Sequence, residues 1–70
     1  MDPTYSLVIY NRQGDLWDRA RGKEADLREQ GAAITTLRGQ LAWTCYLLRN
    51  GGRVAVCKRG VWTALPWTPQ

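Results

Sequence analysis

Arg49, Arg53, Lys58 and Arg59 sit in one stretch, LLRNGGRVAVCKRG, that contains no acidic residue. Cations this close repel one another, and an arriving anion relieves the repulsion. The chemistry such a group supports is charge-assisted hydrogen bonding to phosphate or carboxylate. Arg38 lies upstream, and Trp62 and Trp67 follow downstream. An indole can stack on an unpaired base or anchor a protein interface. The candidate binding residues are therefore Arg38, Arg49, Arg53, Lys58, Arg59, Trp62 and Trp67. The competing explanation is structural: arginine stems splay into water, and each Trp folds back over a small core.

The charge distribution supports a partner. The chain carries a net charge of +4, and all its acids (Asp2, Asp15, Asp18, Glu24, Asp26 and Glu29) lie in the first half. Residues 1–35 sum to −1 and residues 36–70 to +5. An asymmetry of this kind points to phosphate or to an acidic protein surface.

Other chemistry is poorly supplied. The sequence has no His, which removes the commonest general acid and base at neutral pH. Cys45 and Cys57 lack a partner base for nucleophilic catalysis, and two Cys without His give too few soft ligands for structural zinc. The glycines and Lys of RNGGRVAVCKRG do not have the spacing of a phosphate-binding loop. The expectation is a protein that is not an enzyme, with no metal, no cofactor and no small-molecule substrate.

These residues must be positioned by a short chain. Seventy residues make one domain, 1–70, with a marginal core that gains from its Trp and Tyr content. TYSLVIY (Thr4–Tyr10) reads as a strand. NRQG follows, with Gly14 suited to a left-handed position. DLWDRARGKEADLREQ has two readings. In the preferred one Asp15 caps a helix from Leu16 to about Gln30, supported by Asp15–Arg19 and Glu24–Arg28 ion pairs. In the other, Leu16–Arg21 is a return strand and only Lys23–Gln30 is helical. Gly31 ends the helix in both. AAITTL then reads as a short strand and RGQ as a turn. LAWTCYLL (Leu41–Leu48) suits a strand by its residue types and a buried helix by its length. RVAVC and VWTAL read as strands, and residues 66–70 as an extended tail. The resulting fold class is α+β: an N-terminal strand, one helix, then an antiparallel β-meander.

A second parse exists. LREQGAAITTL with LLRNGGRVAVCKRGVWTAL resembles the end of a winged-helix domain. That resemblance implies a recognition helix at Gln40–Arg49 and a wing formed by Arg53–Lys58 with Val61–Leu65. The chain departs from the pattern in two places. Thr36 to Leu41 is short for the usual second helix, and residues 4–10 read as strand where the family has helix.

In the meander, Asn50-Gly51-Gly52 suits a three-residue hairpin loop with Gly52 left-handed. Arg49 then faces Arg53, Leu47 faces Ala55 and Cys45 faces Cys57. Facing arginines destabilise a hairpin, which strengthens the anion-binding reading. The two cysteines are expected to be small buried hydrophobes, with a disulfide as the alternative. Trp62 faces Val56 if the Lys58-Arg59-Gly60 loop has three residues, and Cys57 if the loop is Arg59-Gly60. One residue of slip changes its face.

No apolar run is long enough to span a membrane, and MDPTYS lacks the features of a secretory signal. The expected location is cytoplasmic, with reduced thiols. The expected function is contact with nucleic acid through the basic, Trp-bearing half. The alternative is a stoichiometric protein inhibitor or regulator, of the kind phages use, that blocks an acidic or nucleic-acid-handling surface of a host machine. A third possibility is a homo-oligomer assembled through strand edges.

Overall fold

The computed structural model describes residues 3–66. Its elements are β1 (Tyr5–Tyr10), β2 (Leu16–Gly22), α1 (Glu24–Thr36), β3 (Thr44–Arg49), β4 (Gly52–Lys58) and β5 (Val61–Ala64). The strands form one antiparallel sheet in the order β2-β1-β3-β4-β5. The expected α+β class, with its N-terminal strand, helix and meander, holds. Among the described residues, no helix is long and apolar enough to cross a membrane.

The long helix from Leu16 does not form; the return strand does. The reason lies in the preceding turn. The Asn11 side chain accepts hydrogen bonds from the backbone N–H groups of Gln13 and Asp15, both at 3.0 Å. Gly14 takes φ +84°, and the Asp15 carbonyl accepts from the Asn11 N–H at 3.0 Å. Asp15 is thus occupied in closing a hairpin and cannot cap a helix, and the Asp15–Arg19 helical pair is lost. α1 starts at Glu24, with Glu24 and Asp26 in its first turn, where carboxylates offset the positive end of the helix dipole. The expected Glu24–Arg28 pair is present at 3.0 Å.

α1 also runs through Gly31 to Thr36, so AAITTL is helix rather than strand. Gly31 is required by packing. A Cβ there would lie 2.6 Å from Trp62 Cζ2 and 3.4 Å from Leu7 Cδ1. The missing side chain lets the Trp62 indole lie against the helix, where its Nε1–H donates to the Arg28 carbonyl at 2.8 Å. This close packing offsets the helix cost of Gly, about 1 kcal/mol relative to Ala.

Leu41–Leu48 resolves as strand from Thr44 onward, with residues 41–43 in the preceding loop. The recognition helix of the winged-helix parse is therefore absent; the structure shares with that parse a helix over residues 27–36 and the terminal hairpin. The β3–β4 turn holds two residues rather than three: Asn50 (φ +50°) and Gly51 (φ +86°), the residue pair best suited to the turn that follows strand twist. Arg49 consequently pairs with Gly52, and Arg53 with Leu48. The two arginines do not face each other. A register shift between Leu47 and Leu48 then restores the expected pairs Leu47–Ala55 and Cys45–Cys57. Arg59-Gly60 is likewise a two-residue turn, which places Trp62 opposite Cys57.

The helix covers one sheet face, where Leu7, Ile9, Leu27, Cys45, Leu47, Ala55 and Cys57 form the core. Thr35 joins helix to sheet. Its fully buried hydroxyl donates to the Gly31 carbonyl at 3.0 Å, accepts from the Gly60 N–H at 2.9 Å and lies 3.4 Å from Cys57 Sγ. Both cysteines are free thiols. Burial, and after it the neighbouring Cys57, pushes the Cys45 thiol up to about 12.

Candidate nucleic-acid interface

Directly paired residues of an antiparallel sheet share a face, so the strand register defines the side opposite α1. Three rows of side chains lie there. The first is Leu16–Tyr10–Thr44–Lys58–Val61. The second is Arg19–Val8–Tyr46–Val56–Thr63, and the third is Arg21–Ser6–Leu48–Arg53. None of these positions is acidic. Asp18 pairs with Ile9 on the helix side, and Glu24, Asp26 and Glu29 belong to α1.

The arrangement has an apolar middle and a basic perimeter. Val8 is buried by the side chains around it, while Tyr10, Tyr46, Leu48 and Val56 are half-buried. The Arg53 guanidinium lies over the Tyr46 ring, 4.1 Å from its centroid. Such a contact fixes the guanidinium plane. Tyr10 meets Tyr46 edge to face, with centroids 5.8 Å apart and planes at 82°. Along the outer strand, Arg19 and Arg21 are exposed. They lie two residues apart on one face, about 6.7 Å along β2. A hollow of about 200 Å³ is lined by Ser6, Val8, Tyr10, Arg19, Arg21, Leu48 and Arg53. Hydroxyl, aromatic ring and guanidinium thus converge on one patch.

The expected site residues are dispersed by the fold. Arg53 lies on the open face and Lys58 at its far end, about 17 Å apart along β4. Arg49 pairs with Tyr5 and Gly52 in a row on the helix side. Arg59 occupies the β4–β5 turn and Arg38 the loop after α1. The Gly60–Thr35 hydrogen bond ties that turn to the end of the helix. Cations near this terminus are favoured by the helix dipole alone. Leu41, Trp43, Thr44, Lys58 and Arg59 line a second, more open hollow of about 330 Å³. Trp62 is half-buried on the covered side, under the Arg28 guanidinium at 5.5 Å. Trp67 lies outside the described residues.

Arg19, Arg21, Tyr10 and Tyr46 were not anticipated from the sequence. Their signal is the alternation of Asp18, Arg19, Ala20 and Arg21 in a strand. It was masked because the same residues also satisfy helical ion-pair spacing.

The end of the sheet where β2 begins has a different character. Trp17, in the register shift between β1 and β2, is 65% exposed and packs on Trp43 with ring centroids 5.2 Å apart. Leu37 and Leu41, in the segment joining α1 to β3, are 53% and 52% exposed.

Comparison with protein-family models, with curated proteins and with solved structures finds no match to this chain.

Proposed function

We propose that this chain is a small, non-enzymatic binding protein whose open sheet face contacts nucleic acid. The observation that carries the reading is the set Arg19, Arg21, Arg53 and Lys58 around Tyr10 and Tyr46, on the sheet face opposite α1, which has no carboxylate and no covering element among the described residues. The cations match phosphates, and the rings and apolar side chains match bases. The site is built by both halves of the chain, not by the C-terminal half alone.

Titrating labelled nucleic acid at several salt concentrations tests this. With four phosphate contacts, log K should fall against log salt with a slope of about −3. Reversing two charges, Arg19→Glu with Arg21→Glu, should abolish binding and leave the thermal transition in place. Unchanged affinity in that variant removes the open face as the site.

A second reading is favoured by the exposed Trp17, Leu37 and Leu41 beside Arg38 and Arg59. In it the chain is a stoichiometric inhibitor that caps an acidic or nucleic-acid-handling surface of a larger assembly. Affinity capture with and without nuclease separates the two. A defined protein retained after nuclease treatment and lost on Trp17→Ala supports the second.

A further inference from the structure

Resting on the nucleic-acid reading of the open face, we propose that its occupant is an unpaired single strand, with a base stacked on the platform formed by Arg53 and Tyr46. Three features separate a single strand from a duplex here.

The first is shape. Five strands at about 4.8 Å spacing put roughly 19 Å between the outer two, whereas the duplex major groove is about 12 Å wide. Broadside, the sheet face does not fit an undeformed major groove and would meet chiefly the sugar–phosphate exterior.

The second is the chemistry of the middle. Val8, Tyr46, Leu48 and Val56 fill the centre, and the cations stand on the outer positions Arg19 and Arg21 of β2 and on Arg53 and Lys58 of β4. Against a duplex exterior, the apolar centre would face charged phosphate and gain nothing. Against a single strand, bases turn inward onto that centre while phosphates reach the cations.

The third is the platform. Arg53 covers one face of Tyr46 at 4.1 Å, and Tyr10 abuts the ring edge-on. With Tyr46 behind it, the exposed Arg53 side chain offers a flat cation on which a planar base can stack. A stacked base needs this flat cation; a phosphate contact needs only charge. Arg53 is thus the group at which base recognition and phosphate recognition can be separated.

The experiment measures anisotropy at about 50 mM salt with a labelled single-stranded oligonucleotide, its duplex and poly-glutamate. It uses the full chain, Tyr46→Leu and Arg53→Lys. The single strand should bind at least about tenfold more tightly than the duplex. Tyr46→Leu keeps the face apolar and Arg53→Lys keeps its charge. Each should weaken single-strand binding about fivefold to a hundredfold, the loss of one stacked base, with an unchanged salt slope. Both variants are checked for an intact thermal transition, and Arg53→Lys decides the matter alone if Tyr46→Leu does not fold. Duplex binding equal to or tighter than single-strand binding overturns the single-strand proposal and leaves the nucleic-acid reading standing. Unchanged affinity in Arg53→Lys overturns the stacking platform in the same way. Poly-glutamate bound as tightly as the oligonucleotide, or no binding to either nucleic acid, overturns both.

Discussion

The two faces of the sheet come from the same strands and differ at every alternate residue. On the helix side, β1, β3 and β4 present Leu7, Ile9, Cys45, Leu47, Ala55 and Cys57, all buried. On the other side they present Ser6, Val8, Tyr10, Tyr46, Leu48, Arg53, Val56 and Lys58. The covered face uses small residues where the helix approaches, Ala55 and both cysteines, and the helix meets it through the bare Gly31. The open face uses tyrosine and arginine, whose size would prevent a helix from approaching but suits a flexible ligand. Cohesion resides on the first face, and the proposed function assigns recognition to the second, so substitutions on the two should have opposite signatures.

The largest effect separates neighbouring residues of β3. Leu47→Ala removes a fully buried side chain from the covered face and should cost about 2–5 kcal/mol, enough to unfold much of a chain this small. Tyr46→Leu, on the opposite face, should cost less than about 1.5 kcal/mol. Urea denaturation of the two variants checks the contrast, and equal losses would break it. Thr35→Val keeps the packing volume but removes the acceptor of the Gly60 N–H. A loss of about 1–3 kcal/mol is expected, with Gly60 amide exchange accelerated.

Alkaline pH probes the covered face more gently. The unfolded chain releases the Cys45 proton near the ordinary thiol value of 9.0, whereas the folded chain holds it to about 12. Below pH 9.0 both states keep the proton, and this group makes no pH-dependent contribution. Above it the unfolded state binds fewer protons, so stability falls by up to about 1.4 kcal/mol per pH unit until the folded thiol also titrates. Urea midpoints at about pH 8 and about pH 10 should show the decline, and Cys45→Ala should make it shallower. The smallest effect concerns Arg59, which holds φ +50° in its turn, where the equivalent turn uses Asn50. Arg59→Asn should stabilise the chain by up to about 1 kcal/mol and leave oligonucleotide affinity unchanged, since Arg59 lies off the open face.

The readability of the sequence follows the same division. Thr4–Tyr10, Arg53–Cys57 and Val61–Leu65 carry β-branched and aromatic runs bounded by turn residues, and all three formed strands. The Cys45–Cys57 pairing was anticipated through a three-residue loop; the actual two-residue turn plus a register shift reaches the same pairing. β2 was obscured because an edge strand exposed on both sides has no apolar alternation, and its charges also suit a helix. The extension of α1 through Gly31 was hidden because it depends on Trp62, which is remote in sequence. Arg49 and Arg53 looked like partners because the loop length was misjudged by one residue, which moves a side chain to the other face. The core-forming face was therefore largely legible, while the candidate site needed the register of every strand.

The central claim is that ligand meets the open face. Heteronuclear correlation spectra recorded during titration with a single-stranded oligonucleotide test it most directly. The account predicts shifts concentrated on Val8, Tyr10, Arg19, Arg21, Tyr46 and Arg53, with α1 unmoved. Shifts confined to Trp17, Arg38, Leu41 and Arg59, with the open face silent, would contradict it.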